Sequence, residues 1–202
     1  MKTVIVTGGI GGGKSTVCRI LERDYACPVY DADKRVKELY LESPFLLNDI
    51  ELALGERFRD ADGVFQPSLL AARIFSDPAA LAEVESLVFP VLMEDFQTWK
   101  AGHSDKRFAV LESATIMEKP ELSGLGDYLV VVDAPLQMRV DRAVRRDRAS
   151  YDSILGRVCN QRIMNEISAG AVPASVDYVI MNDGGLETLS AKVGKCVESL
   201  DL

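Results

Sequence analysis

The 202-residue chain predicts an α/β fold, with a parallel five-stranded sheet flanked by helices and interrupted by a helical insertion. Three observations carry that expectation. Five short apolar runs are rich in β-branched or aromatic residues, as strands buried on both faces are. Helical patterns long enough for crossovers separate them. A glycine-rich turn follows the first run and leads directly into one of those helical patterns.

The runs are Thr3 to Thr7, Pro28 to Tyr30, Phe108 to Glu112, Tyr128 to Asp133 and Asp177 to Met181. After the glycines, Thr16-Val17-Cys18-Arg19-Ile20-Leu21 is a good helix former. From Lys34 to Asp105 no convincing buried strand occurs, so residues 34–105 read as a helical insertion into a core built from residues 1–33 and 106–202. Six of the seven Phe residues (Phe45, Phe58, Phe65, Phe75, Phe89 and Phe96) and the single Trp99 lie there. They are either the insertion's own core or the lining of a pocket for an adenine ring or a pantetheine-like tail. The last helix places Leu186, Leu189, Val193, Val197 and Leu200 on one face at steps of three and four.

Composition narrows the function. With 48% hydrophobic and 27% charged residues the chain is an ordinary globular protein. Its 23 Lys+Arg against 31 Asp+Glu leave a net charge of −8, the wrong sign for a nucleic-acid coat or a polybasic membrane patch. Any phosphate must therefore be held by a locally organised site. The N-terminus runs into glycines too soon for a signal peptide, and no apolar run reaches the roughly 18 residues of a membrane span. Cys18, Cys27, Cys159 and Cys196 lack metal-ligand spacing and there is only one His103, so reduced thiols in a cytoplasm are expected.

Residues 8–16 read Gly-Gly-Ile-Gly-Gly-Gly-Lys-Ser-Thr, which matches G-x-x-x-x-G-K-[ST] through Gly8, Gly13, Lys14 and Ser15. In such a loop the backbone N–H groups turn inward around an oxyanion and the following helix offers its positive end. The lysine bridges outer phosphates and the serine hydroxyl reaches Mg²⁺. The strand before and the helix after are the context the motif requires. ATPases, GTPases and small-molecule kinases all use it, so the acceptor site has to be sought elsewhere.

Asp31-Ala32-Asp33 leaves the second strand at the end where ligands of open α/β sheets bind. One acid near a Mg²⁺ water and one accepting a proton from an attacking hydroxyl is the division a kinase needs. On that division Asp31 serves the metal and Asp33 is the base; otherwise one of them caps the next helix. Glu112 ends the third strand like a Walker-B acid, with a metal role, a substrate role or neither. Between Arg139 and Arg148 five arginines face two aspartates, a local +3. They form either a lid over transferring phosphate within residues 136–170, led by Arg142 and then Arg146, or a solvated helix face.

These residues resemble the dephospho-coenzyme A kinases, over nearly the whole chain. The resemblance runs through Thr7-Gly8-Gly9-Ile10-Gly11 with Gly13-Lys14-Ser15-Thr16, Asp31-Ala32-Asp33, Asp62-Gly63, Ile74-Phe75, Arg142 and Arg146, Arg157 and Gln161, and Asp177 to Ile180 followed by Asn182-Asp183-Gly184. It implies a P-loop kinase-like core, a helical substrate-binding domain and an Arg-bearing mobile lid. The activity implied is transfer of the ATP γ-phosphate to the ribose 3′-hydroxyl of dephospho-CoA. ATP would sit against Gly8, Gly9, Ile10, Gly11, Gly12, Gly13, Lys14, Ser15, Thr16, Arg142, Arg146, Asn182, Asp183 and Gly184. Lys14, Asp33 and Arg142 would be catalytic, with Asp33 the base. Thr7, Asp33 and Glu112 would touch the acceptor, and Ser15 and Asp31 the Mg²⁺. A cytoplasmic monomer or weak homo-oligomer is expected, with ATP and dephospho-CoA as its substrates and without nucleic-acid or membrane partners. The chain departs from the family on the acceptor side, with Phe65-Gln66-Pro67-Ser68 lacking an arginine, Phe89-Pro90 in place of His-Pro and Glu112-Ser113-Ala114 in place of a Pro-Leu-Leu-like stretch. Arg57, Arg59 and Arg73 are the cations near enough in sequence to replace that arginine. A kinase of another small hydroxyl acceptor, such as a nucleoside, nucleotide or sugar acid, is the competing expectation.

Overall fold

A computed structural model describes the backbone of residues 1–202 and all side chains except those of residues 120, 121 and 123. The strands are β1 (Lys2–Thr7), β2 (Val29–Asp31), β3 (Phe108–Glu112), β4 (Tyr128–Asp133) and β5 (Tyr178–Met181). The helices are α1 (Lys14–Tyr25), α2 (Ala32–Glu42), α3 (Pro44–Leu54), α4 (Pro67–Ser76), α5 (Pro78–Ala101), α6 (Leu136–Asp147), α7 (Tyr151–Cys159), α8 (Arg162–Ser168) and α9 (Leu186–Ser199). The sheet is wholly parallel in the order β2-β3-β1-β4-β5. Its strands therefore all end on one edge, where Thr7, Asp31, Glu112, Asp133 and Met181 lie. Val6 and Asp31 flank Glu112 in register from either side.

Both faces of the sheet are covered, which is why its strands read as continuous apolar runs. Val4, Val6, Val130 and Val132 pack on Val17, Ile20 and Leu21 of α1 and on Leu189, Val193 and Val197 of α9. On the other face Val131 packs with Met164 and Ile167 of α8. The α9 stripe is shorter than its apolar spacing predicts: Leu189, Val193, Val197 and Leu200 are buried, whereas Leu186 is 56% exposed. Leu186 is the first residue of the helix, so it precedes the turn that meets the sheet.

The chain forms two compact units, one of residues 1–31 and 102–202, the other of residues 32–101. The second is all helical apart from a single antiparallel bridge between Arg59 and Phe65. Ser43 caps α3 by accepting from the Leu46 N–H at 3.3 Å, with Pro44 at the first helical position and Gly55 closing the other end. Its core contains Ile50, Phe58, Val84, Leu92 and Phe96, and Phe96 stacks on Trp99 with ring centroids 5.9 Å apart. The aromatics divide: Phe58 and Phe96 are core, while Phe45 and Phe75 are 81% and 86% exposed. Arg35 of α2 forks onto both carboxylate oxygens of Asp95 in α5, at 2.9 and 2.8 Å. Among the described residues no helix is long and apolar enough to cross a membrane.

Candidate active site

The glycine-rich loop leaves β1 at Thr7 and enters α1 at Lys14. Gly11 and Gly13 are required by backbone and space together. Gly11 sits at φ +74° and Gly13 at φ +103°, left-handed conformations that an L side chain adopts at a cost. A Cβ on Gly11 would collide with the Arg139 carbonyl, and one on Gly13 with the Asn182 side chain. The loop is therefore wrapped against α6 and the end of β5 as tightly as main chain allows. Gly13 accepts from the N–H groups of Thr16 and Val17 at 3.0 and 3.1 Å, which starts α1 with its N-terminus at the loop.

Lys14 Nζ donates to the Gly8 carbonyl at 2.9 Å. It thus lies across the loop whose phosphate it is expected to bridge. Ser15, one residue into α1, donates from Oγ to Glu112 Oε1 at 2.9 Å. That bond spans 97 residues and joins the helix to the end of β3, with Asp31 beside Glu112 in the next strand. Glu112 is only 9% exposed, and Cys18 lies one turn along α1 from Ser15. Burial first, and the Glu112 charge next, push the Cys18 thiol far above its ordinary range.

The donor set is oxygen only: a serine hydroxyl and two carboxylates at the sheet edge. Among the described residues no group of three or more His, Cys, Asp or Glu could hold a metal ion. Hard oxygen donors of this kind fit Mg²⁺, which keeps several waters and takes one or two protein carboxylates together with substrate phosphates.

The arginines of α6 divide by depth. Arg139 is 1% exposed and pairs with Asp133, itself 2% exposed, at 3.5 Å. Burial lowers the Arg139 pKa and Asp133 opposes that shift. Asp133 Oδ1 takes no hydrogen bond and relies on that ion pair, while Oδ2 accepts from Ser168 Oγ at 2.7 Å. Arg139 therefore does not belong to the solvated helix face that was one expectation for the five arginines; it is inside the fold with Val140 and Ala143. Arg142, half-buried, donates to the Gly11 carbonyl at 3.5 Å and to the Asn182 carbonyl at 3.2 Å. Arg146 is exposed and bonds to Asp147 at 2.6 Å, and Arg157 of α7 joins the same carboxylate at 3.0 Å. The Arg146 guanidinium, helped by Arg157, holds the Asp147 carboxyl down at about 2.

Of the residues after β5, Asn182 is buried and donates from Nδ2 to the Gly12 carbonyl at 2.9 Å. Asp183 pairs with Lys192 of α9 at 2.5 Å, which lowers its pKa, and Gly184 packs against Thr188. The structure thus brings the loop of residues 8–16 together with Glu112, Asp31, Arg142 and Asn182. Asp33 belongs to the other unit, in the first turn of α2. Two partners of the loop were not identified from the sequence. Arg139 and Gln161 both bond to Ile10, with Gln161 Oε1 accepting from its N–H at 2.8 Å and Arg139 Nε donating to its carbonyl at 3.2 Å. Neither is marked by the local pattern, since Arg139 stands at the margin of the apolar stripe of Val140, Ala143 and Val144 on α6.

A parallel sheet with a phosphate loop after its first strand, a lysine across that loop and a serine–carboxylate pair at the sheet edge define a P-loop phosphotransferase. Residues 2–188 match the family model described as dephospho-CoA kinase. A dephospho-CoA kinase of Bacteroides fragilis is 34% identical over 182 residues, covering 89% of this chain and 83% of that one. One of Chlorobaculum tepidum is 33% identical over 201 residues, covering 96% and 93%. A crystal structure of a Thermus thermophilus protein superposes with a TM-score of 0.80 at 27% identity, covering 98% and 97%. Shikimate kinase from Acinetobacter baumannii, at TM-score 0.56 and 15% identity over 100% and 96% of the chains, shares the fold alone. The chain belongs to the dephospho-CoA kinase family, and its activity is the ATP-dependent final step of coenzyme A synthesis.

Proposed function

We propose that the loop of residues 8–16 holds the ATP phosphates while Asp33 takes the proton from the ribose 3′-hydroxyl of dephospho-CoA. The O3′–phosphorus bond forms as the bond from the γ-phosphorus to the ADP oxygen breaks. Lys14 and Arg142 stabilise the charge spread over the transferring group. Arg146 supports them, and Asn182, Asp183 and Gly184 flank the adenine. Ser15 and Asp31, with Glu112 beside them, would hold Mg²⁺, which when bound neutralises charge on the outer phosphates. Thr7, Asp33 and Glu112 meet the acceptor, and residues 34–105 form its binding domain. Within that domain Arg59 is engaged by Glu51 and Arg73 by Glu56 and Asp77. Arg57 is exposed, which favours it as the acceptor-side cation. Residues 136–170 act as the lid, and the protein works in the cytoplasm as a monomer or weak homo-oligomer.

The observation that carries this assignment is the Ser15–Glu112 hydrogen bond. It places a hydroxyl and a carboxylate at the mouth of the phosphate loop, the pairing that phosphoryl transfer needs for a hydrated divalent cation. A coupled assay of ADP release, offering dephospho-CoA, several nucleosides, shikimate and gluconate, tests it. Release with dephospho-CoA alone is expected. Background release with dephospho-CoA, or turnover of one of the others in its place, overturns it.

A further inference from the structure

Gln161 stands at the corner between α7 and α8, and the catalytic scheme leaves it without a task. Two donors converge on one of its atoms. Oε1 accepts from the Ile10 N–H at 2.8 Å and from Arg139 Nη2 at 3.2 Å. Only the amide oxygen accepts from both, so the donors fix the orientation of the amide. Arg139 closes the circuit by donating from Nε to the Ile10 carbonyl at 3.2 Å. The two peptide planes that flank Ile10 are therefore each pinned, one by Gln161 and the other by Arg139.

Ile10 lies between Gly9 and Gly11, and planes beside glycine turn over at low cost. Turning either plane would exchange an N–H for a carbonyl oxygen in a loop that has to receive phosphate. The post that prevents this is itself rigid. The Gln161 N–H donates to Val158 O at 3.1 Å, its carbonyl accepts from Asn165 N at 3.0 Å, and Asn165 Nδ2 ties down Cys159 O at 2.9 Å. The Ile10 side chain packs on Val140, Ala143, Ile154 and Val158 of α6 and α7, which holds the loop against the same helices.

We propose that Gln161 is a positioning residue for ATP, whose amide oxygen presets the phosphate loop and makes its shape depend on the α7–α8 corner. This rests on residues 8–16 being the ATP cradle. Its effect is exerted through Ile10, and it should be felt in nucleotide affinity ahead of acceptor affinity or the chemical step.

The test is ATP binding by calorimetry without acceptor, run on wild type, Gln161→Leu and Gln161→Glu, with melting temperature and both KM values alongside. Gln161→Leu removes the acceptor oxygen at similar volume, and Gln161→Glu keeps it. Loss of an acceptor from a half-buried N–H predicts that Gln161→Leu weakens ATP binding roughly 10-fold, while KM for dephospho-CoA changes less than about 3-fold. Gln161→Glu should stay within about 3-fold of wild type for ATP. If Gln161→Leu does not fold, Gln161→Asn, which withdraws the amide by one methylene, is expected to show the same loss. Wild-type ATP affinity in the oxygen-lacking or shortened variant, with only the melting temperature lowered, overturns the proposal. So does a Gln161→Glu variant as weak as Gln161→Leu. A wild-type protein that binds no ATP overturns the cradle assignment instead.

Discussion

Ser15 Oγ donates to Glu112 Oε1 at 2.9 Å, so the first turn of α1 is stitched to the end of β3 directly beneath the phosphate loop. Strand pairing puts Asp31 next to Glu112. On the proposal that Ser15, Asp31 and Glu112 hold Mg²⁺, removing the Glu112 charge without changing shape weakens cation binding more than nucleotide binding. Glu112→Gln is expected to raise the Mg²⁺ concentration for half-maximal activity roughly 10- to 100-fold. A Mg²⁺ titration at saturating ATP checks this.

Arg139 and Arg142 are one helical turn apart and predict different effects on stability. Arg139→Ala would leave Asp133 buried without its counter-charge, at a cost of about 3–5 kcal/mol. For a chain of this length that lowers the melting temperature by roughly 6–20 °C. Arg142→Ala removes only half-buried bonds to main-chain carbonyls and Asn182, so it should melt within a few degrees of wild type. Its kcat should fall about 10²- to 10³-fold. Thermal melts and steady-state kinetics on the two variants separate the roles.

Cys18, Cys27 and Cys196 are buried and Cys159 is exposed. Burial pushes the Cys27 and Cys196 thiols up to about 12 and Cys18 higher still. Thiolate is the reactive form, so near pH 8 a thiol reagent should label Cys159 rapidly and the other three only on unfolding. Mass spectrometry of the labelled native protein, before and after Cys159→Ser, measures this.

Asp147 titrates at about 2 because Arg146, and then Arg157, bond to its ionised form. A carboxylate whose folded pKa lies below its unfolded value of about 3.9 adds stability above that value and loses it as the pH falls through the folded pKa. The stabilisation by Asp147 is thus complete at neutral pH and fades between about pH 4 and 2. Because the pair is largely in water the effect is small. The melting-temperature gap between wild type and Asp147→Asn should narrow as pH is lowered, and in Arg146→Ala the Asp147 carboxyl should titrate closer to the ordinary range, as NMR can follow.

The sheet was legible because strands buried on both faces are continuous apolar runs; the observed bounds of β1 and β5 differ from the expected ones by a residue at one end, and β2 is shifted by one residue. The phosphate loop was legible because backbone geometry demands Gly8, Gly13, Lys14 and Ser15 at fixed spacing. What holds that loop was not. Arg139, Gln161 and Asn182 meet it from 129, 151 and 170 residues away, and no local period records a bond of that range. Asn182 is expected beside the adenine of ATP, and the bond from its side chain to the Gly12 carbonyl is a further contact that spacing does not record. Phe45 and Phe75 show the opposite limit, since their apolar character says nothing about which side of a helix meets the core.

The central claim, that Asp33 is the base for the acceptor hydroxyl, is tested most directly by single-turnover phosphoryl transfer in Asp33→Asn, with ATP affinity measured in parallel. Unchanged ATP binding with transfer slowed about 10²-fold or more is the predicted result. Transfer at a near-normal rate would contradict it and would return Asp33 to the role of a charge in the first turn of α2.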